Sequence, residues 1–128
     1  MEYGYSKVVD LSYEDAVRKV TEELKKEGFG ILTEIDVKAT MKKKIDVDMK
    51  PYIILGACNP QFAYKALQVE KQVGLLMPCN VIVYIDDDDR TIVAAMEVQP
   101  VMGIVENPKL DEFAPVIREK IHTAIDAV

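Results

Sequence analysis

Two short runs, Tyr52–Cys58 and Cys79–Ile85, carry mostly apolar side chains and constrain the fold more than any other part of the chain. Runs of this length with little polar alternation are typical of β-strands whose two faces are both covered. The acidic turn Asp86–Asp89 separates the second run from a further strand over Thr91–Val98, which predicts a hairpin. The chain therefore requires a central sheet with helices packed against it.

Two more strands are predicted nearer the N-terminus, over Tyr3–Val9 and Phe29–Asp36. Successive side chains of a strand point to opposite faces of the sheet. In the second strand this alternation assigns Phe29, Ile31, Thr33 and Ile35 to one face and Leu32, Glu34 and Asp36 to the other.

Three segments have the periodicity of amphipathic helices. The first starts after Ser12 and ends at Gly28, the second runs from Asn59-Pro60 to Gly74, and the third runs from Pro108 or Asp111 to the C-terminus. The lysine-rich connector Val37–Lys50 is too polar for the core and is either a loop or a short exposed helix. The order β-α-β-β-α-β-β-α predicts an α+β fold in one domain, residues 1–128, with a mixed or antiparallel sheet of about five strands and helices mainly on one face.

Charge and hydropathy argue against several classes of protein. The formal net charge of −6 disfavours nucleic-acid binding, which needs a positive surface. No apolar stretch approaches the ~20 residues of a membrane-spanning helix, and the first residues lack the basic and apolar regions of a signal peptide. We therefore expect a cytoplasmic protein that binds neither nucleic acid nor membrane, with Cys58 and Cys79 reduced.

Cys58 lies where a strand passes into a helix, within Gly56-Ala57-Cys58-Asn59-Pro60. Asn is a favourable N-cap, and Pro is favourable as the first residue of a helix. The free N–H groups and the positive end of the helix dipole would favour a thiolate or a bound anion, so Cys58 is a candidate nucleophile and Asn59 a candidate ligand-binding residue. The alternative is a small buried cysteine next to an ordinary helix cap.

A second pair, Cys79-Asn80, begins the other apolar strand. If the two apolar strands were joined by a right-handed crossover, they would be parallel, and Cys58 and Cys79 would lie roughly 20 Å apart. If the chain returned antiparallel, the two sulfurs could be neighbours. The sequence leaves both arrangements open.

Glu34 and Asp36 are predicted on one face of their strand, about 7 Å apart. Such a pair could act as general acid and base or bind a hard metal ion, although a solvated pair balanced by nearby lysines is more common. Lys42, Lys43 and Lys44 could bind an anionic ligand, or they could only balance the acidic excess.

Metal and cofactor sites are not indicated. Two cysteines and one histidine, His122, are too few for a structural zinc site, and His122 has no evident partner. Nucleotide-binding and hydrolase motifs are missing from the sequence, so we expect no cofactor. Methionines could supply soft ligands to copper(I) beside a cysteine, but they need no role beyond filling the core; these are Met41, Met49, Met77, Met96 and Met102.

Three ordered motifs, Gly28–Asp36, Pro51–Pro60 and Gly74–Val81, resemble domain-of-unknown-function family three hundred and two, and the likeness extends over nearly the whole chain. The resemblance implies the fold predicted above and a homodimer, and it implies no established reaction. The chain departs from the family pattern at Met77, where leucine is usual, and at Gln99–Met102, where an Asp-Pro opening is common. Recurrent polar positions of the family match Thr33, Glu34, Asp36, Lys42, Cys58, Asn59, Pro60, Cys79 and Asn80.

Three functions agree with these residues, and whether the protein is an enzyme stays open. The favoured hypothesis is a protein that binds a small molecule or an anion at the Cys-Asn-Pro helix N-terminus without catalysis, helped by Lys42 and the two asparagines. The second is a thiol-dependent enzyme or sulfur carrier with Cys58 as nucleophile and Glu34 or Lys42 assisting. The third is a structural or interaction module whose homodimer interface buries these motifs.

Overall fold

The computed structural model describes residues 2–128, in which five antiparallel strands form one sheet. The strand order across the sheet is β1-β5-β4-β3-β2. This architecture confirms the predicted α+β class and the five-stranded sheet. In chain order the elements are β1 (Gly4–Val9), α1 (Tyr13–Lys26), β2 (Gly30–Asp36), α2 (Val37–Ile45), β3 (Tyr52–Cys58), α3 (Pro60–Val69), a 3-10 helix (Lys71–Leu76), β4 (Cys79–Ile85), β5 (Thr91–Met96), α4 (Val98–Gly103) and α5 (Pro108–Asp126).

Helix α1 begins where its sequence predicts. The Ser12 hydroxyl accepts a hydrogen bond from the backbone N–H of Asp15 at 3.1 Å, which satisfies one of the free donors of the first turn. Ala16, Val20 and Leu24 recur along one side of the helix and are fully buried. The helix is therefore held by its apolar side against the sheet rather than by helix propensity alone.

One face of the sheet, which we call the covered face, packs against α1 and α5. Residues that lie directly opposite each other on neighbouring strands point to the same face. On the three central strands the covered face carries Leu55, Ala57, Val81, Val83, Val93 and Ala95, and each of these is at most 2% exposed. These side chains form the centre of the core.

The opposite face, which we call the open face, is not covered by α1 or α5. Most of its central residues are half-buried, although Gly56 and Ile92 are buried, and at its margins Val8 is 53% and Ile35 is 47% exposed. Within one chain the expectation that both faces of the apolar strands are covered is therefore wrong, because α1 and α5 pack on the same side. The open face consists of Gly4, Ser6, Val8, Gly30, Thr33, Ile35, Tyr52, Ile54, Gly56, Cys58, Asn80, Ile82, Tyr84, Ile92, Ala94 and Met96.

A β-bulge in β2 changes the predicted faces of that strand. Ile31 lies opposite Ala57 and Thr33 lies opposite Gly56, so Leu32 is an extra residue without a partner. The extra residue reverses the alternation beyond it. The covered face of β2 carries Ile31, Glu34 and Asp36, and the open face carries Thr33 and Ile35.

The second predicted helix is shorter than its sequence indicated. Helix α3 ends at Val69, because Glu70 adopts an extended backbone with φ −151°. A 3-10 helix then leads to β4, so Gly74 lies within that turn of helix and does not terminate α3. The lysine-rich connector forms α2, which follows β2 directly and has no buried residue. None of the helices formed by residues 2–128 is both long and apolar enough to cross a membrane.

Candidate functional site

The antiparallel pairing of β3 with β4 brings the two cysteines to the same end of the sheet. Ala57 lies directly opposite Cys79, and Cys58 is the next residue along β3. Burial raises the pKa of the Cys58 thiol, and burial together with the nearby Cys58 raises the pKa of Cys79 to about 11. Both thiols are therefore protonated at neutral pH, whereas a reactive cysteine has a lowered pKa.

Cys58 and Cys79 line a small cavity of about 40 Å³ below α3, which we call the thiol cavity. Phe29, Phe62, Met77 and Met102 also contribute to its wall. Apart from Asn59, every residue that lines the cavity is apolar or contains sulfur. The surroundings of the two thiols therefore disfavour a negative charge, and none of the lining residues supplies a positive one.

Asn59 joins two loops instead of capping α3 with its side chain. Its amide Nδ2 donates to the carbonyl oxygen of Glu27 at 3.5 Å, and its side chain makes no capping hydrogen bond. The adjacent Gly28 has φ +88°, and a Cβ atom there would come within 3.0 Å of Asn59 Nδ2. Asn59 thus fixes the end of α1 against the start of α3, which is a structural role.

Thr33 and Asn80 lie on the open face, on opposite sides of Gly56. Thr33 pairs with Gly56 from β2, and Asn80 pairs with Gly56 from β4. A Cβ atom at Gly56 would clash with the Thr33 hydroxyl and would lie 2.8 Å from Cγ of Pro78. Glycine is required here because these side chains occupy the space above it.

Glu34, Asp36 and Lys42 lie at the junction of β2 and α2. Asp36 caps α2 by accepting a hydrogen bond from the N–H of Ala39 at 2.9 Å. The Lys42 ammonium is paired with Asp46 at 2.8 Å and with a second carboxylate, that of Asp48, at 3.3 Å. Lys42 is thus paired with carboxylates that follow α2, and not with Glu34 or Asp36. The sequence-predicted site residues lie in three separate groups.

A groove of about 570 Å³ runs along the open face where β1, β5 and β4 meet. Its wall combines the apolar side chains of Ile82 and Met96 with the aromatic rings of Tyr3 and Tyr84. Ser6 and Asn80 add a hydroxyl and an amide, and Glu2 adds one carboxylate. Of the predicted site residues only Asn80 belongs to this groove. The sequence analysis missed the other groove residues because each looks like an ordinary strand residue. The signal that could have found them is the absence of charged residues at alternate positions along β1, β4 and β5.

His122, which had no evident partner in the sequence, is part of a polar cluster between α5 and the start of α4. Its Nε2 atom is in contact with the Glu97 carboxylate, and its ring stacks on Tyr5 with centroids 3.7 Å apart. Arg118 Nε lies 3.7 Å from the other oxygen of Glu97. Because Tyr5 belongs to β1, the cluster ties α5 to the edge of the sheet.

Residues 2–128 contain no group of three or more histidine, cysteine, aspartate or glutamate side chains placed to hold a metal ion. They also contain no buried side-chain nitrogen or oxygen atom that lacks a hydrogen-bond partner. A site for a hard metal ion is therefore not formed by the described residues.

Fold and surface together define a small two-layer α+β protein with one face of its antiparallel sheet left open. The chain belongs to the family described as domain of unknown function DUF302, whose model matches residues 5–128. It is similar to a solved structure, the uncharacterised conserved protein DUF302 from Bacillus stearothermophilus, with a TM-score of 0.92 and 28% sequence identity. That similarity covers 99% of this chain and 98% of the other. No curated protein matches the sequence.

Proposed function

We propose that the protein binds a small, neutral and mainly apolar molecule in the open-face groove and that it is not an enzyme. The observation that carries this proposal is the groove of about 570 Å³, because ligand sites commonly have volumes of roughly 300–1,000 Å³. Its lining of aromatic and aliphatic side chains with a few polar groups is also typical of ligand sites. Tyr3, Tyr84 and Met96 would contact the apolar part of the ligand, and Asn80 would orient it.

The Cys-Asn-Pro helix N-terminus gives less support to ligand binding. The adjacent thiol cavity, at about 40 Å³, is too small for an organic molecule. No cationic side chain lines it, so an anion would lose its hydration without gaining a partner there. The raised pKa values of Cys58 and Cys79 likewise weigh against a thiol enzyme or a sulfur carrier.

We also infer that a second copy of the chain covers the open face and closes the groove. No residue of the open face is charged, although 30% of the residues in the chain are. Each copy has a formal net charge of −6, so two copies would approach most favourably through an uncharged surface. The exposed side chains of Val8 and Ile35 would extend the contact at its margins. A cytoplasmic location, supported by the two free cysteines, completes the proposal.

Ligand binding can be tested with the neutral fluorescent probe N-phenyl-1-naphthylamine. We expect the wild-type protein to enhance its fluorescence and Met96→Lys to abolish the enhancement, because a lysine there would replace part of the apolar wall of the groove with a charged side chain. Val116→Lys, on the exposed side of α5, is the matched control and should behave as wild type. Native mass spectrometry of gently purified protein should in addition reveal a retained molecule that Met96→Lys lacks. Equal enhancement by both variants, or none by the wild type, would refute the groove as a ligand site.

Dimerisation can be tested by light scattering coupled to size-exclusion chromatography. Ile54 lies in the middle of the open face and does not line the groove. We expect Ile54→Lys to convert a dimer into a monomer, whereas Thr123→Lys, exposed on α5, should leave the dimer intact. A monomeric wild-type protein, or a dimer that survives Ile54→Lys, would rule out the open face as the interface.

A further inference from the structure

We propose that the ligand of the open-face groove is a flat, neutral aromatic molecule that lies over the sheet between the rings of Tyr3 and Tyr84. This inference rests on the function proposed above and names the chemical class of the ligand. It follows from the arrangement of side chains in the floor and the walls of the groove.

The floor of the groove consists of small residues that are neighbours on the open face. Ser6 on β1 lies directly opposite Ala94 on β5, and Gly4 is the next open-face residue along β1. Larger side chains stand beside them, since Met96 lies opposite Gly4 and Ile82 lies opposite Ala94. Side chains of a sheet stand roughly perpendicular to it, so the small residues leave a depression between the larger ones. A flat molecule can lie in this depression against the sheet.

Two aromatic rings form part of the wall of this depression. Tyr84 stacks on Tyr52, with ring centroids 5.2 Å apart and an angle of 20° between the planes, so its ring is already held in place. Burial raises the pKa of Tyr52, and the nearby phenol groups of Tyr84 and Tyr3 raise it further, so Tyr3 also reaches this part of the open face. Contacts between aromatic rings are favourable beyond the burial of their apolar surface. A bound aromatic ring would therefore gain contacts that a saturated ring cannot make.

The rest of the wall favours an aromatic molecule that is neutral and has one polar edge. The thioether of Met96 can contact the edge of a bound ring, a favourable arrangement for sulfur. The Ser6 hydroxyl and the Asn80 amide can form hydrogen bonds with a hydroxyl or N–H group on that ring. The carboxylate of Glu2 and the net charge of −6 disfavour an anionic ligand.

The test compares two alcohols with the same carbon skeleton, 2-naphthol and decahydro-2-naphthol, by isothermal titration calorimetry. A groove that used apolar burial alone would bind the saturated alcohol at least as tightly, because that molecule has the larger apolar surface. We expect the wild-type protein to bind 2-naphthol roughly tenfold more tightly, and Tyr84→Leu to reduce this preference to about threefold or less. Tyr64→Leu, exposed on α3 and outside the groove, is the matched control and should keep the wild-type preference.

Tyr3→Leu is a second variant that should remain folded, since Tyr3 is 77% exposed, and it should also reduce the preference for 2-naphthol. If the wild type binds both alcohols equally, or prefers the saturated one, the groove is a ligand site that does not select aromatic molecules, and only this inference is overturned. If neither alcohol binds, the proposed function fails with it. A wild-type preference that survives in both Tyr84→Leu and Tyr3→Leu would likewise refute recognition of the ligand by these rings.

Discussion

The covered and open faces of the sheet use the same five strands and the same backbone hydrogen bonds, but they differ in burial. Leu55 and Val83 on the covered face are fully buried, whereas their neighbours Ile54 and Tyr84 on the open face are only half-buried. The difference arises because α1 and α5 pack on one side. Both faces are apolar, so composition does not determine which of them the helices cover.

This comparison shows where apolar surface remains for binding. Removing apolar surface from water contributes roughly 25 cal/mol per Å². On the covered face this contribution already stabilises the fold, whereas on the open face much of it is still available. A partly exposed apolar face with no charged residue is typical of a surface that binds something else. The four predictions below test this difference, from the largest expected effect to the smallest.

The largest effect should come from truncating adjacent residues on opposite faces. Leu55→Ala should lower the free energy of unfolding by about 2–5 kcal/mol, because it leaves a cavity in the core. Ile54→Ala should cost about 1 kcal/mol in the monomer, because its side chain is already partly hydrated. Urea denaturation at low protein concentration measures both values. Equal losses would mean that the open face is as well covered in solution as the other.

The next effect concerns the Cys79 thiol, at the end of the covered face, whose pKa is raised to about 11 by burial. The folded state therefore holds this proton more tightly than the unfolded state does. The resulting stabilisation is complete below the unfolded pKa of about 8.5 and is lost as the pH rises through the folded value. We expect the free energy of unfolding to fall by up to about 3 kcal/mol over this range, at 1.36 kcal/mol per unit of pKa shift.

Urea denaturation at a series of alkaline pH values, compared with Cys79→Ala, isolates this contribution from other titrating groups. The variant should lose less stability as the pH rises. Cys58→Ala is the comparison within the thiol cavity and should retain most of the wild-type pH dependence, because Cys79 is still present. Identical pH dependence in the wild type and Cys79→Ala would contradict the buried state of this thiol.

A smaller effect is expected on the open face at Gly56. Gly56→Ala should lower the free energy of unfolding by about 2 kcal/mol, because the added methyl group meets Thr33 and Pro78. Gly30→Ala is the control within the same sheet, since nothing lies within 4 Å of a Cβ atom there. Adding Thr33→Ala to Gly56→Ala should restore part of the loss. Thermal unfolding of the wild type and these three variants measures the losses, and no rescue would mean that Pro78 alone causes the strain.

The smallest effect should come from the cluster that ties α5 to the covered side of the sheet. Glu97→Gln removes the carboxylate that contacts His122 and lies near Arg118, and it should cost about 1 kcal/mol at neutral pH. Glu119→Gln, exposed on α5, is the control and should be nearly neutral. A loss that is equal in both variants would show that the cluster adds nothing specific to the docking of α5.

Local sequence signals predicted most of the elements correctly. The Ser12 cap, Pro60 at the first position of α3 and the acidic turn after Ile85 all act within a few residues, so their outcome depends little on the rest of the chain. The errors occurred where distant contacts decide. Leu32 is bulged because its neighbours Ile31 and Thr33 pair with consecutive residues of β3, and Glu70 ends α3 where apolar periodicity indicated a longer helix.

The candidate site was harder to predict than the fold. The sequence indicated the two Cys-Asn pairs, but it could not determine whether their sulfurs were neighbours, because strand direction depends on the path of the intervening chain. The groove was missed apart from Asn80, since Tyr3, Ser6 and Met96 are far apart in sequence and none is unusual alone. They come together in one groove only when β1 pairs with β5 and β5 with β4.

The sequence by itself determined the α+β class, the number of strands and the places where the main helices start. These features follow from the period of apolar residues and from turn and cap residues that act locally. Only the tertiary structure decided which face of the sheet stayed open and that the two cysteines share one cavity. Both outcomes depend on which apolar surfaces meet, and packing of helices on the sheet is set by contacts between residues that are distant in the chain.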